Sequence, residues 1–397
     1  MSSVQSIPLL ARRQRIPAPL AQIAEQLAQQ AAALDRSGEF PHANLALLHE
    51  YGLLGLACEQ RYGGADANLP TLQQVVSAIA QGEPSTALIV CMQYLHHLRL
   101  AANPKWPEAL RSAISQSAVQ HGALINSLRV EPELGSPARG GLPRTVATRT
   151  SAGWRLNGHK LYTTGIDGLS WLAIWARSDD ANPQVGTWLV PRNSPGITIK
   201  RSWDHLGMRA SGSHEVILHD VTVPLSHAAD IYPADRPPPP DTAQIRAAAN
   251  AHAALLPAIY DGVAQAARRW LIAWLQQRTP TSLGAPLASL ARVQETVGQI
   301  DGLLLVNQSL LRQAAAQAFS TEQANLAKVT ITENAIAAVE KALTQSGNHG
   351  LTRHNPLERH YRNVLCGRVH TPQNDSAWIK AGQAALRPQD DNQHVAY

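Results

Sequence analysis

A run of four consecutive prolines, from Pro237 to Pro240, divides the sequence into two parts of different character. Each proline fixes its own backbone φ and lacks an amide hydrogen, so the run can lie neither inside a helix nor in a central strand. We therefore expect residues 232–240 to form a linker. The 397 residues are enough for about two or three domains with a substantial core.

The N-terminal part of the chain has the periodicity of helices. Apolar residues recur every three or four positions in residues 17–34, and similar patterns follow in residues 43–51, 72–80 and 86–98. Turn signals that contain glycine separate these segments. The pattern predicts an N-terminal α-helical domain over residues 1–121.

The character of the sequence changes after this domain. Five short segments are rich in β-branched and aromatic residues, and Gly, Pro, Asn or Asp separates them. They cover residues 154–164, 171–177, 186–190, 197–201 and 215–223. Five of the nine tryptophans lie in this region, which suits a compact fold packed around large side chains. We predict a middle antiparallel β-domain over residues 122–231.

Beyond the linker, three long segments and one shorter segment are dense in Ala, Leu, Gln and Glu. They cover residues 242–278, 287–319, 321–346 and 376–386. Long helices with short connections pack as a bundle, so we predict a C-terminal four-helix bundle over residues 241–397. The order of helical, β and helical domains makes the fold class α+β.

Composition and motifs argue against several classes of function. No uncharged apolar run approaches the length of a membrane span and no secretory signal is present, so we expect a cytoplasmic protein without membrane association. The net charge of +5 comes from scattered residues, which argues against a nucleic-acid partner. The three cysteines lie far apart, and the pair His96 and His97 has no partner at metal spacing. Neither disulfides nor a metal site is therefore expected.

Five sets of residues, in a fixed order along the chain, together resemble the acyl-CoA dehydrogenase superfamily of flavoproteins. They are residues 61–64 (RYGG), 131–136 (EPELGS), 158–165 (GHKLYTTG), 206–211 with 220–224 (LGMRAS and DVTVP), and 347–350 with 356–362 (GNHG and PLERHYR). The resemblance implies the acyl-CoA dehydrogenase fold and a flavin cofactor, FAD or FMN. It also implies a homotetramer, which agrees with bundle helices that are apolar on more than one face.

Several residues in these segments suit a flavin. Gly135 and Ser136 let backbone N–H groups approach an anionic cofactor, although an ordinary hairpin turn has the same composition. Tyr162 and Thr164 occupy alternate positions of a predicted strand and so share a face. A ring there can stack on a flavin and a hydroxyl can hydrogen-bond its edge, whereas simple strand packing is the alternative interpretation.

The resemblance assigns further cofactor contacts. It implies that Leu128 and Val130 line the isoalloxazine together with Tyr162 and Thr164, and that Ser136 lies near the pyrophosphate or the substrate. In the family, a glycine-rich loop and an arginine from a neighbouring subunit hold the rest of the cofactor. The matching residues here are Gly347, Gly350 and Arg278.

The sequence departs from the family at the catalytic base. In the acyl-CoA dehydrogenases that the chain resembles, a glutamate removes the α-proton of a thioester while the β-hydrogen leaves as hydride to the flavin. Family members carry this glutamate at one of two positions. Here those positions hold Thr371 and His252.

Three interpretations of this departure remain open. In the favoured one, the chain resembles two-component flavin monooxygenases, which accept reduced flavin from a partner reductase and oxygenate a small substrate. His370, Thr371 and Thr164 are then the catalytic residues, since a neutral imidazole and hydroxyls hydrogen-bond and transfer protons. In the second, His252 is the base of a dehydrogenase that acts on an acyl-CoA substrate. In the third, the chain is a non-catalytic flavin-binding paralogue.

Overall fold

A computed structural model of the chain describes residues 20–134 and 141–387. Five helices come first: α1 (Leu20–Ser37), α2 (His42–Glu50), α3 (Leu69–Gly82), α4 (Pro84–Ala102) and α5 (Glu108–His121). The first four coincide with predicted helical segments, whereas α5 lies outside every predicted segment. Asn68 caps α3 by accepting a hydrogen bond of 3.0 Å from the backbone N–H of Thr71. Glu83 caps α4 in the same way.

Eight strands follow in one sheet. They are β1 (Leu124–Leu128), β2 (Val146–Thr150), β3 (Gly153–Thr163), β4 (Leu169–Ser178), β5 (Gln184–Pro191), β6 (Ile197–Lys200), β7 (His214–Val223) and β8 (Ala228–Pro233). The sheet has the order β6, β7, β3, β2, β4, β5, β8, and β1 pairs beside β4. The sequence predicted β3 to β7 and gave no signal for β1, β2 and β8.

The sheet departs from the predicted antiparallel arrangement along one edge of β4. There β1 pairs with the first part of β4 and β2 with its last two residues, both in parallel, while the other pairs are antiparallel. A parallel pair needs a long crossover connection. The chain between β1 and β4, which contains the β2–β3 pair, provides it.

The C-terminal region contains three long helices and three shorter ones. They are α6 (Thr242–Gln277), α7 (Ala291–Ala315), α8 (Thr321–Ser346), α9 (Asn348–Leu351), α10 (Leu357–Leu365) and α11 (Asn374–Ala385). The three long helices pack against one another, and α6 also packs on α3 and α4. The bundle is therefore continuous with the N-terminal helices. Strand β8 extends to Pro233, so the first two residues of the predicted linker belong to the sheet.

Arg362 on α10 connects three regions of the fold. Its guanidinium lies 2.6 Å from the carboxylate of Asp35 on α1 and 2.8 Å from that of Glu358 on its own helix. It also donates a hydrogen bond of 2.9 Å to the backbone carbonyl of Leu206, between β6 and β7. A bidentate guanidinium at such a junction fixes the relative position of helices and sheet. Across residues 20–134 and 141–387, no helix combines the length and the apolarity that a bilayer crossing requires.

Candidate functional site

Tyr162 marks the point at which β3 departs from regular strand geometry. Its φ of 54° lies in the left-handed region, which an aromatic residue rarely adopts. The side chain is 56% exposed, and its ring lies edge-on to His205 at 6.2 Å. His205 in turn stacks on Trp203 at a centroid distance of 3.6 Å. The end of β3 thus presents an open aromatic surface.

A chain of hydroxyl groups lies next to this surface. The Oγ1 atom of Thr164 is 3.0 Å from the Oγ of Ser213, which is 2.8 Å from the Oγ of Ser211. The side-chain amide of Asn126 on β1 donates a hydrogen bond of 3.0 Å to the backbone carbonyl of Thr164. Buried hydroxyls arranged in this way hold one another's orientation.

The sequence predicts that the side chains of Tyr162 and Thr164 share one face of a strand, and the structure differs from this prediction. Strand β3 ends at Thr163, and its register with β7 shifts between Lys160 and Thr163. Strand alternation therefore does not place the two side chains on one face. A cavity of about 170 Å³ brings the Tyr162 ring together with Ser213, the partner of Thr164.

This geometry fits a planar aromatic cofactor. The exposed ring of Tyr162 offers a stacking surface, and Thr164 and Ser213 offer hydrogen bonds at its margin. The cavity between them is lined by Leu161, Tyr162, Ser202, Trp203, His205, Ser213 and Glu215. A flavin meets both requirements, because it has a large π-face and polar ring edges.

A buried ion pair links Glu131 to Lys160, the residue that precedes Leu161 of the cavity lining. Glu131 and Lys160 are 1% and 0% exposed in their side chains, and their Oε1 and Nζ atoms are 2.6 Å apart. Glu131 also accepts hydrogen bonds from the backbone N–H groups of Arg144 and Thr145. These contacts hold Glu131, the first residue of the segment 131–136 in which the sequence predicts contacts to a flavin. Gly135 and Ser136 themselves lie outside the described residues.

Burial and the ion pair shift the pKa of each of these two residues in opposite directions. Burial lowers the pKa of Lys160 to about 8, although the hydrogen bond to Glu131 raises it. Burial by itself raises the pKa of Glu131, but the hydrogen bond and charge of Lys160 outweigh it and the pKa lies below its usual value. Glu131 is therefore a buried carboxylate with a fixed structural role.

Side chains at the end of β1 and just after it alternate between buried and accessible positions. Leu128 is 1% exposed and packs in the core. Val130 forms a bridge to Leu161, whose N–H donates to the Val130 carbonyl at 2.9 Å. The accessible neighbours are Ser127 and Arg129. The resemblance selected Leu128, whereas strand alternation selects the two residues that flank it.

Helix α4 packs against both β1 and α6. Arg99 lies in the last turn of α4, and His252 lies on α6. The Nδ1 atom of His252 donates to the carbonyl of Ala248 at 2.9 Å, which leaves Nε2 as its acceptor. Burial lowers the pKa of His252 despite that hydrogen bond, and the positive charge of Arg99 lowers it further.

His370 and Thr371 lie in different surroundings from His252. The ring of His370 is 5.8 Å from that of Tyr260 on α6, whereas the side chain of Thr371 is exposed. Burial, with the charge of Lys328, lowers the pKa of His370 to about 3, so the imidazole is neutral. The two histidines therefore have different neighbours.

The end of α6 lies close to the segment that contains Gly347 and Gly350. Arg278 follows the last residue of α6, and the ring of Trp274 one turn earlier is 5.4 Å from that of His349. Gly347 has a φ of 55° and open space where a Cβ would lie. The contact of Trp274 with His349 joins the end of α6 to the α8–α9 junction.

Three residues described above, Arg99, Arg129 and Lys328, are only weakly indicated by the sequence. Arg99 lies three residues after His96 on one helix face, and Arg129 follows the alternation of β1, so both could be found by periodicity. Lys328 occurs in a mixed helical segment, where a lysine is typical of an exposed surface. Its burial depends on contacts with the C-terminal loop that sequence does not reveal.

Models of one protein family match most of the chain. The N-terminal domain of acyl-CoA dehydrogenase matches residues 20–103, the middle domain residues 129–221 and the C-terminal domain residues 254–374. The putative acyl-CoA dehydrogenase YdbM of Bacillus subtilis strain 168 is 30% identical over 368 residues, which are 91% of this chain and 93% of YdbM.

Other similar proteins have different activities. The amino sugar nitrososynthase DnmZ of Streptomyces peucetius is 26% identical over 86% of this chain and 85% of its own length. The structure of KijD3 with FMN and dTDP-3-amino-2,3,6-trideoxy-4-keto-3-methyl-D-glucose is 26% identical, with a TM-score of 0.77. That alignment covers 97% of this chain and 94% of KijD3. Similarity thus extends to proteins that bind FMN and to proteins named for different reactions.

Proposed function

Because the chain belongs to the acyl-CoA dehydrogenase family of flavin-dependent oxidoreductases, we propose that it is a monooxygenase that oxidises a small substrate with reduced flavin. One observation carries the proposal. The family carries its glutamate at one of two positions. In this chain one position holds His252, a neutral histidine whose pKa the charge of Arg99 lowers, and the other holds Thr371, whose hydroxyl-bearing side chain is exposed.

His252 is a poor base for a thioester α-proton. A base that accepts this proton becomes an imidazolium, and the positive charge of Arg99 opposes that change. Burial opposes it as well, because desolvation penalises the charged ring. A glutamate at the same place would instead become neutral on protonation. The electrostatics around His252 therefore favour chemistry that does not need a strong base.

The residues at the end of β3 suit the flavin. Tyr162 would stack on the ring system, and Thr164, held by Ser213, would hydrogen-bond its edge. When bound in its reduced form, flavin supplies the electrons for the reaction with dioxygen. His370 supports oxygenation as a neutral imidazole, which offers one donor and one acceptor and can hold a proton near the reacting atoms.

Two partners follow from this function. A reductase would supply reduced FMN or FAD, as in two-component monooxygenases. A homotetramer would bring Arg278, Gly347 and Gly350 to the cofactor of a neighbouring subunit. The similarity to KijD3, whose structure contains FMN, supports FMN as the flavin.

A second candidate function is acyl-CoA dehydrogenation. The similarity to YdbM, a putative acyl-CoA dehydrogenase at 30% identity, favours it. In that case Nε2 of His252 would be the base, since Nδ1 already donates to Ala248. The lowered pKa of His252 makes it a weaker base than an ordinary histidine.

Rapid mixing separates the two functions. The flavin-loaded protein is reduced with dithionite without oxygen and then mixed with oxygenated buffer in a stopped-flow instrument. Monooxygenation predicts a long-lived transient whose absorption lies at shorter wavelength than that of oxidised flavin. Absence of a transient, together with anaerobic bleaching of the oxidised flavin by butyryl-CoA, would overturn the proposal in favour of dehydrogenation.

A further inference from the structure

Another cavity lies between the N-terminal helices and the C-terminal region. It has a volume of about 500 Å³, and its walls come from α1, the end of α3, α6, and the segment that leads into α10. Cavities that bind small molecules have volumes of this order. It shares no lining residue with the cavity beside Tyr162.

Short side chains on the helices leave this space open. Ala28 and Ala32 lie one turn apart on α1, and Ala266 lines the cavity from α6. Gly82 at the end of α3 also lines it, and a Cβ at this position would clash with the backbone carbonyl of Ala24 on α1. The close approach of α1 and α3 therefore depends on a glycine, and the space beside it on alanines.

Three arginines line the cavity, and no described carboxylate does. Arg269 lies on α6, Arg353 lies between α9 and α10, and Arg359 lies on α10. We call these three residues the cavity arginines. The guanidinium of Arg269 donates a hydrogen bond to the side-chain oxygen of Gln81, a neutral residue that also lines the cavity. The lining therefore carries positive charge from separate elements of the fold.

The carboxylates whose charge reaches Arg359 have other partners. Burial lowers the pKa of Arg359, and the charges of Asp35, Glu358 and Glu83 oppose that effect. Asp35 and Glu358 form ion pairs with Arg362, at 2.6 Å and 2.8 Å. Glu83 accepts hydrogen bonds from backbone N–H groups in the first turn of α4. These acidic groups are thus committed to positions outside the cavity.

Among the described residues, no ion pair includes a cavity arginine. The charge of Glu25 acts on Arg269 without forming one. By contrast, the arginines Arg268, Arg362 and Arg368 in the same region each have a carboxylate partner within 3 Å. Like charges around one cavity repel each other, and an anion that binds between them removes this cost.

His360 adds a polar group that the fold leaves without a partner. It lines the same cavity and is 5% exposed, and its Nδ1 atom has no hydrogen-bond partner in the described part of the chain. Buried polar atoms normally have partners. A ligand that brings hydrogen-bonding oxygens into the cavity fits both this imidazole and the cavity arginines.

We propose that this cavity binds a small molecule that carries a phosphate group, with the phosphate held by the cavity arginines. Guanidinium groups bind phosphate oxygens through paired, charge-assisted hydrogen bonds. A volume of about 500 Å³ leaves room for an organic part beside the phosphate. The site does not depend on the reaction at the flavin, because none of the described residues assigned to the flavin or to catalysis lines it.

Calorimetry on the flavin-loaded protein tests the proposal, with inorganic pyrophosphate as the probe. We expect saturable binding whose affinity falls as salt is added, while the absorption spectrum remains that of bound flavin. Absence of binding would overturn the proposal. Release of flavin by pyrophosphate would also overturn it, because the anion would then occupy the cofactor's own site.

Arginine variants assign the binding to the cavity. Arg353→Gln and Arg359→Gln should each weaken pyrophosphate binding about tenfold or more, because each removes a charged hydrogen-bond donor. Arg149→Gln changes an exposed arginine on β2 and should leave the affinity unchanged. An equal loss in all three variants would show that pyrophosphate responds only to overall charge, against the proposal.

A second pair of variants keeps the test valid if an arginine variant does not fold. Ala28 and Ala33 are both exposed on α1, but only Ala28 lines the cavity. Ala28→Glu and Ala33→Glu change the net charge equally, and glutamate suits a helix at both positions. Ala28→Glu should weaken pyrophosphate binding about tenfold or more, and Ala33→Glu much less. Equal effects of the two substitutions would exclude the cavity as the site.

Discussion

The Nζ atom of Lys328 donates a hydrogen bond of 2.8 Å to the backbone carbonyl of His370. The same ammonium donates to the carbonyls of Gly367 at 3.1 Å and Pro372 at 3.0 Å, and the residue is 1% exposed. One lysine on α8 thus holds the loop on which the family places a catalytic residue. It does so through main-chain atoms of the loop.

The pH dependence of stability should reveal this lysine. Burial lowers the pKa of Lys328 to about 8, against about 10.5 in an unfolded chain. Between these values the folded state has released a proton that the unfolded state keeps, so stability increases as pH rises. Wild type should therefore gain up to about 3 kcal/mol over Lys328→Met between pH 8 and pH 10.5. Urea unfolding at several pH values measures the gain, and a constant difference would contradict it.

The buried pair of Glu131 and Lys160 should show strong coupling. Glu131→Gln or Lys160→Met alone leaves a partner without its counter-charge, which costs about 3–5 kcal/mol. The double variant should cost less than the sum of the two, because no unpaired charge remains. Denaturant unfolding of the four proteins measures the coupling, and additive effects would show that the two residues act independently.

The helices were easier to predict than the details of the sheet and the site. Helical periodicity and capping residues such as Asn68 are local, so α1 to α4 and the long bundle helices follow from the sequence. Strands β1 and β2 depend on pairing with β4, a distant segment, and their own sequences carry little signal. Long-range contacts of this kind are specified by packing and not by local propensity.

The same distinction applies to the site. Tyr162 and Thr164 are predicted as flavin contacts because they lie in a segment with a family resemblance, whereas the left-handed backbone at Tyr162 has no signal in the sequence. Arg99 and Arg129 lie far apart in sequence, and the packing of α4 on β1 brings their elements together. Leu128 is predicted to line the flavin and is 1% exposed, and its burial could not be predicted because the face that a strand residue presents depends on register.

We expect Tyr162 to strengthen flavin binding and to lower the stability of the flavin-free protein. Tyr162→Gly removes the ring but suits a φ of 54°, so the flavin-free variant should be as stable as wild type or more stable. Flavin affinity should fall about fivefold or more through lost stacking. Tyr162→Phe is the matched control and should bind flavin as wild type does. Fluorescence titration measures both, and unchanged affinity in the glycine variant would remove the ring from the site.

An exposed apolar face on α7 should lie in a subunit interface. Leu305 and Val306 are 62% and 46% exposed, and beside Gly298 and Gly302 there is open space where a Cβ would lie. Light scattering at micromolar concentration should give a tetrameric mass for wild type and a smaller mass for Leu305→Glu, since a buried carboxylate is costly. A monomeric wild type would exclude the tetramer.

The last prediction separates the roles of His370 and His252. If His370 assists oxygenation, His370→Asn should keep its fold and flavin while oxidised product falls and hydrogen peroxide rises, with a rate effect of about 10²–10⁴. His252→Asn should then leave coupling unchanged. If His252 is a dehydrogenase base, His252→Asn should instead abolish anaerobic flavin reduction by an acyl-CoA, and His370→Asn should affect it little. Unchanged turnover and coupling in both variants would remove both histidines from the mechanism and favour a non-catalytic flavoprotein or another base.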